Sequence, residues 1–209
     1  MSGAGTGGTL AGVAAYIKRT AREQDIDQEP LIVAADPMGS GVYNRIKYGV
    51  LYSSTEAEGT RRRHQVDTVV EGIGLNRLTH NLELGLPYID DAVRVTDEEA
   101  LRMSRYIAAH DGLFLGSSSA VHCVAAVRVA LKLKAQRTPP SDAATWRAGT
   151  QQPAHDEVAI EDRTRPVVVT ILADSGSRHL SKFQNDEAME KRGFHVSDDI
   201  SDILRSSST

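Results

Sequence analysis

The chain has 209 residues, of which 40% are hydrophobic and 25% charged, with a net charge of −4 at neutral pH. That length and balance suit one large domain with a buried core, and the small negative charge gives nucleic-acid binding no electrostatic support. Cys123 is the single cysteine, which excludes an internal disulfide and a multi-cysteine metal site, and no run approaches the roughly 18 apolar residues of a membrane span.

Met1 leads straight into Ser2-Gly3-Ala4-Gly5-Thr6-Gly7-Gly8-Thr9, a tight glycine loop without the cationic and apolar regions of a signal peptide. A helix is predicted from about Leu10 to Arg22, because Leu10, Val13, Ala14 and Ile17 recur at helical spacing. Leu31-Ile32-Val33-Ala34-Ala35 is short, apolar and unbroken, as suits a strand buried on both faces. Met38 to Thr60 has no sustained period and reads as mostly loop. Arg61-Arg62-Arg63-His64 is a basic cluster best read as a solvated turn. Val66 to Val70 is a second candidate strand, ending in Glu71-Gly72-Ile73-Gly74, and Ala92 to Val95 a third.

Thr96 and Glu99 form a capping box that opens a helix with Ala100, Met103 and Ile107 inward, stopping near Gly112. Leu113-Phe114-Leu115 leads into Gly116-Ser117-Ser118-Ser119 and a helix to about Lys134. That helix is apolar almost all round (Val121, Val124, Val127, Val129, Leu131) and is expected to be central and buried. Gln136 to Arg165 has no period and reads as a flexible insertion with Trp146 as its large apolar anchor. Val167 to Leu172 reads as a β-branched strand, followed by Ala173-Asp174-Ser175-Gly176, a short helical stretch to about Lys191 and a serine-rich tail. The alternation of helix and strand argues for an α/β fold with a mostly parallel sheet. In such folds a strand feeds the glycine loop, so the chain is expected to begin mid-motif.

Gly5-Thr6-Gly7-Gly8-Thr9 before an amphipathic helix is a phosphate cup: glycines allow close backbone approach, and the helix offers free N–H groups and its positive dipole end. Gly3, Gly5 and Gly8 also fit G-x-G-x-x-G, with Asp36 ending the next strand somewhat farther on than a ribose-binding acid is expected, so a nicotinamide-dependent oxidoreductase fragment competes. Gly116-Ser117-Ser118-Ser119-Ala120 imitates a nucleophile elbow, but capping of the buried helix is the better reading. Ser175 follows the last predicted strand, at the strand end where open α/β sheets hold ligands.

In this order, Gly5-Thr6-Gly7-Gly8-Thr9, Val70-Glu71-Gly72-Ile73-Gly74, Gly112-Leu113-Phe114-Leu115-Gly116-Ser117-Ser118 and Leu172-Ala173-Asp174-Ser175, the chain resembles the cysteine synthase and cystathionine β-synthase branch of pyridoxal-phosphate enzymes. His64-Gln65-Val66-Asp67 and the long insertion resemble a fungal cysteine synthase-like subgroup. The resemblance covers nearly the whole chain except the insertion. It implies fold type II, related to tryptophan synthase β: a three-layer, doubly wound α/β domain with a mostly parallel sheet, here without its N-terminal half. Residues 1–135 would be the C-terminal part of the cofactor-binding domain, 136–166 an insertion, and 167–209 the final strand and C-terminal helices.

The resemblance further implies that Gly5, Thr6, Gly7, Gly8 and Thr9 cradle the phosphate of pyridoxal 5'-phosphate and that Ser175 hydrogen-bonds its ring nitrogen. Gly72, Ile73 and Gly74 would line the amino-acid substrate's cleft, and Ser117 and Ser118 would cap the helix beside it. The implied reaction replaces the β-substituent of an activated serine with sulfide. The family's Schiff-base lysine lies in the N-terminal half, and none of Lys18, Lys47, Lys132, Lys134, Lys182 or Lys191 matches its context. The expectations are therefore no catalytic residue in this stretch, inactivity of the chain alone, a homodimer if completed, and a cytoplasmic location with a mitochondrial alternative. A non-catalytic cofactor-binding partner of a full-length relative is the further alternative.

Overall fold

The computed structural model describes residues 1–27, 29–53, 68–137 and 166–205. Helix α1 spans Gly8–Glu23 and buries Leu10, Ala11, Ala14, Lys18 and Ala21. The burial of Lys18 is offset by Asp90 and Glu29, which pair with its ammonium at 2.9 and 3.3 Å. Strand β1, Val33–Pro37, is buried at every position, as an unbroken apolar run predicts, though it starts two residues later than the sequence pattern. It pairs in parallel with β2, Asp91–Val95, in a register that sets Ala34 opposite Ala92 and Asp36 opposite Arg94.

The residue entering the glycine loop joins this ladder. Ser2 bridges Ala34 in parallel; its N–H donates to Val33 O at 3.3 Å, and Ala35 N–H donates to Ser2 O at 3.0 Å. The loop therefore leaves from beside β1, where a feeding strand is expected to aim it.

Helices cover both faces. Ala34 and Ala92 point into a core with Leu10, Ala14, Val42 and Leu82, while Ala35 and Val95 point into one with Leu101, Met103, Val121 and Val124. The second core is closed by α4, Asp97–His110, and α5, Ser117–Arg137. The capping box forms as the sequence requires: Thr96 Oγ1 accepts from Glu99 N–H, and Thr96 N–H donates to Glu99 Oε2 at 2.9 Å. Helix α5 is buried through its first half but carries exposed residues beyond Val129, so it is central only where it meets the sheet.

Three expectations are corrected. The stretch from Met38 contains helix α2, Val42–Tyr48, which starts after Gly41 and ends at Gly49 with φ 77°. Residues 68–70 form no ladder; the Asp97 carboxylate holds them, accepting from Thr68 Oγ1 and from Val69 N–H at 2.9 Å. Residues 166–174 likewise form no strand, and Val167 and Val169 are 86% and 70% exposed. Their β-branched pattern sets conformation but supplies no neighbouring strand: Val169 O accepts from the Met1 ammonium at 2.8 Å, Ile171 O contacts His122 Nδ1 at 2.7 Å, Ala173 N–H donates to Ser119 Oγ at 2.9 Å, and Leu115 bridges Ser175.

Two short helices, α3 at His80–Gly85 and a 3₁₀ turn at Leu86–Tyr88, pack beside α1. The tail is more structured than its serines suggest. A 3₁₀ turn at Gly176–His179, α6 at Asp186–Glu190 and α7 at Ser201–Arg205 bury Phe183, Met189, Ile200 and Ile203 in the α4–α5 core. Arg102 grips Asp202 through two nitrogens, and Arg105 reaches Asp186 at 2.7 Å. The basic cluster at 61–64 and most of the predicted insertion lie outside the described residues. Among the described residues no helix is long and apolar enough to cross a membrane.

Candidate cofactor site

The site is built where three glycine-bearing turns meet. Gly7 stands at the N-cap of α1 with φ 84°, and among the described residues no side chain caps this end and no acid occupies its first turn. The first amides of a 16-residue helix thus keep their hydrogen-bonding capacity, with the positive end of the dipole behind them. A Cβ on Gly7 would lie 2.8 Å from Leu82 N, and one on Gly5 would lie 2.5 Å from Gly72 O. Both glycines are therefore required by backbone packing.

The Gly72–Gly74 turn lies directly against this loop. Gly72 and Gly74 have φ 86° and 100°, and Gly74 N–H donates to Ala4 O at 2.8 Å. Ile73 packs on Gly3, where an added Cβ would stand 2.9 Å from Ile73 Cδ1. The far end of the turn is fixed by Ser40, whose Oγ accepts from Leu75 N–H at 2.9 Å. The predicted phosphate-side and substrate-side segments are thus brought together by direct backbone contact.

Ser175 heads the third turn. It is exposed, caps the 3₁₀ turn, and accepts from Ser177 N–H at 3.3 Å. The turn is joined to the Gly72 segment by His179, which contacts Asp174 Oδ2 at 2.8 Å and Glu71 Oε2 at 3.4 Å, and by Lys182 pairing with Glu71. The lysine holds the Glu71 carboxyl below its ordinary value, against the opposing effect of burial and with a lesser contribution from the histidine.

Several further residues position the site. His122, on α5, accepts from Gly3 N–H through Nε2 and contacts Ile171 O through Nδ1, both at 2.7 Å. Thr79 caps α3 and donates to Thr6 O at 2.7 Å. An N-cap pattern at Thr79 was open to sequence reading, whereas the reach of His122 was not. Ser117 and Ser119 are buried and pin neighbouring segments, accepting from Glu71 N–H at 3.0 Å and Ala173 N–H at 2.9 Å. Such serines serve as anchors rather than as an exposed nucleophile.

Asp36 is fully buried inside β1, where its Oδ2 accepts from Tyr43 N–H at 2.8 Å. Burial pushes its carboxyl up to about 6, against the opposing pull of Ser40, Tyr43 and Arg94. An acid committed to the start of α2 is not presented to a ribose. Among the described residues no group of His, Cys, Asp and Glu is arranged to hold a metal.

An α/β layer whose glycine turn opens a long uncapped helix defines a binder of phosphorylated cofactors. The family model described as pyridoxal-phosphate dependent enzyme matches residues 1–141. The chain belongs to this family, whose cofactor is pyridoxal phosphate. It is 53% identical over 183 residues to a Neurospora crassa protein named cysteine synthase 2, covering 88% of this chain and 33% of that protein. A Schizosaccharomyces pombe protein of the same name is 46% identical over 192 residues, covering 92% of this chain and 40% of its own length. An Emericella nidulans cysteine synthase 2 is 49% identical over 183 residues, or 88% and 35% of the two chains. The chain thus spans roughly a third to two fifths of the length of these curated relatives.

Proposed function

We propose that the chain supplies the phosphate- and ring-holding part of a cysteine synthase-like enzyme that replaces the β-substituent of an O-activated serine with sulfide to give L-cysteine. The observation that carries the reading is the uncapped head of α1, wedged by Gly5 and Gly7 against Gly72 and Leu82. When bound, pyridoxal phosphate supplies a ring that stabilises negative charge at the substrate's α-carbon. Gly5, Thr6, Gly7, Gly8 and Thr9 hold its phosphate with backbone amides, and Ser175 meets the ring nitrogen. A neutral hydroxyl there leaves the ring less electron-withdrawing than an acid would, which suits β-replacement. Gly72, Ile73 and Gly74 face the small amino-acid substrate.

The larger architecture proposed is the three-layer, doubly wound domain of fold type II, with residues 1–135 and 167–209 as one unit around the 136–166 insertion. Helices on both faces of the parallel ladder support it. The proposed assembly is a homodimer, in a reducing compartment such as the cytoplasm or mitochondrial matrix. By itself the chain is proposed to be inactive as a cysteine synthase. The engagement of Lys18 with Asp90, of Lys47 and Lys132 with Asp91, and of Lys191 with Glu187 supports this, as none of these ammonium groups stands ready at the glycine loop. The same observation favours a second reading, a non-catalytic cofactor-binding partner of a full-length relative.

Titrating the 209-residue chain with pyridoxal phosphate tests the proposal. Saturable binding that inorganic phosphate competes away, and that Gly7→Val abolishes, is the expected result. No binding at millimolar cofactor, or equal binding by Gly7→Val, would sink it.

A further inference from the structure

We propose that the cavity at the amino-terminal ends of β1 and β2 is a second ligand site, which takes a small organic monocarboxylate with an apolar body. The inference is independent of the cofactor reading, because the cavity lies at the other end of the ladder from the glycine loop. Val33 and Asp91, the first residues of the two strands, line it. Ser2 instead joins β1 at Ala34 and runs on in parallel toward the carboxyl end.

The cavity has a volume of about 420 Å³, within the range of small-molecule sites. Two elements supply its apolar wall: Leu31 and Val33 come from the entry to β1, Val129 and Leu133 from successive turns of α5. Leu31 is 54% exposed there, so the described residues leave apolar surface uncovered at the mouth. A ligand with an apolar body would bury it.

Charge selects the head group. Lys47 from α2 and Lys132 from α5 converge on one carboxylate, pairing with Oδ1 and Oδ2 of Asp91. Burial pushes that carboxyl up, but the two lysines and Ala92 N–H outweigh it and hold it below its ordinary value. The other acid at the cavity, Asp90, turns to Lys18, and Lys18 and Arg22 together balance Asp90 and Glu29. Among the described groups, two ammoniums thus share one ionised carboxylate, a surplus of one positive charge. Each ammonium has three N–H donors and Asp91 takes one from each, so a second carboxylate can bridge them. A polyanion fits poorly, because Asp90 and Asp91 would repel its additional charge, and a cation would meet the two lysines.

Methyl nuclear magnetic resonance of the full chain, titrated with hexanoate, tests this. Saturable shifts of the Leu31, Val33, Val129 and Leu133 methyls at millimolar ligand are expected, with or without pyridoxal phosphate. Hexanol and hexylammonium share the apolar body and acetate lacks it, and each should bind about fivefold more weakly or worse. The Lys132 side chain is 59% exposed, so Lys132→Gln leaves the fold intact. Lys132→Gln and Lys47→Gln should each weaken hexanoate about three- to tenfold. Hexanol binding as tightly as hexanoate, or equal hexanoate binding by wild type and both lysine variants, would overturn the proposal. So would the absence of saturable shifts at these four methyls. Their loss on adding pyridoxal phosphate would place hexanoate in the cofactor site, overturning this inference while the cofactor reading stands.

Discussion

Gly3 N–H donates to His122 Nε2 at 2.7 Å, and this bond determines the state of the imidazole. A ring nitrogen that accepts carries no proton, so the 2.7 Å contact with Ile171 O must be donated by Nδ1–H. Neutral His122 thus ties the entry of the glycine loop to the segment that leads to Ser175. Burial holds its pKa below the ordinary 6.5, with the Met1 ammonium adding to the effect and the Ile171 carbonyl opposing it.

The sign of the pH dependence follows. The unfolded chain takes up a proton at His122 more readily than the folded one, so this contribution is complete above pH 6.5 and lost as pH falls through the lowered folded value. Urea unfolding at pH 8 and pH 5 should show wild type losing more stability than His122→Ala over that interval. At pH 8 the substitution should cost about 2–4 kcal/mol, from the cavity and the unpaired Gly3 amide. Parallel pH slopes for the two proteins would show that His122 does not titrate with folding.

Asp36 has the opposite sign. Its folded pKa of about 6 exceeds the ordinary 3.8, so its contribution is complete below 3.8 and lost as pH rises through about 6. Asp36→Asn keeps an acceptor for Tyr43 N–H and removes the buried charge. It should gain about 1–2 kcal/mol over wild type at pH 8, shrinking toward zero near pH 4. Equal denaturation midpoints at pH 8 would contradict the account.

The glycines of α1 are not equivalent. Gly7→Ala meets Leu82 backbone in a left-handed conformation and should cost about 2–4 kcal/mol. A Cβ on Gly12 meets nothing within 4 Å, so Gly12→Ala should stabilise the helix by about 0.5–1 kcal/mol. Thermal unfolding of the two variants should move the midpoint in opposite directions.

Thr96→Ala removes the acceptor for Glu99 N–H and the hydroxyl that donates to Glu99 Oε2, leaving only the backbone half of the box. Chemical denaturation should show a loss of about 1 kcal/mol. Thr96→Ser, which keeps the oxygen, should recover most of it.

Local patterns carried much of the fold. The period of Leu10, Ala14 and Ile17 locates α1, Thr96 and Glu99 mark the head of α4, and Ala92 to Val95 falls within β2. Helix α2 escaped notice because its seven residues are too few to establish a period, although Arg45 and Lys47 in the last turn before Gly49 mark a helix end. The extended reading of 167–172 failed for another reason: pairing depends on an edge elsewhere, which composition does not contain.

By itself the sequence determined the helix of α1, the capping box and the glycine turns around residues 7 and 72, because each depends on neighbours within a few positions. It also marked Ser175 as a residue at the end of an apolar run. Tertiary structure alone decided that Gly5 meets Gly72, that His122 reaches Gly3, and that Ile200 and Ile203 close the core beneath α5. Those contacts join residues 67 to more than a hundred positions apart, and no local period encodes which distant backbone a short side chain or bare glycine will face.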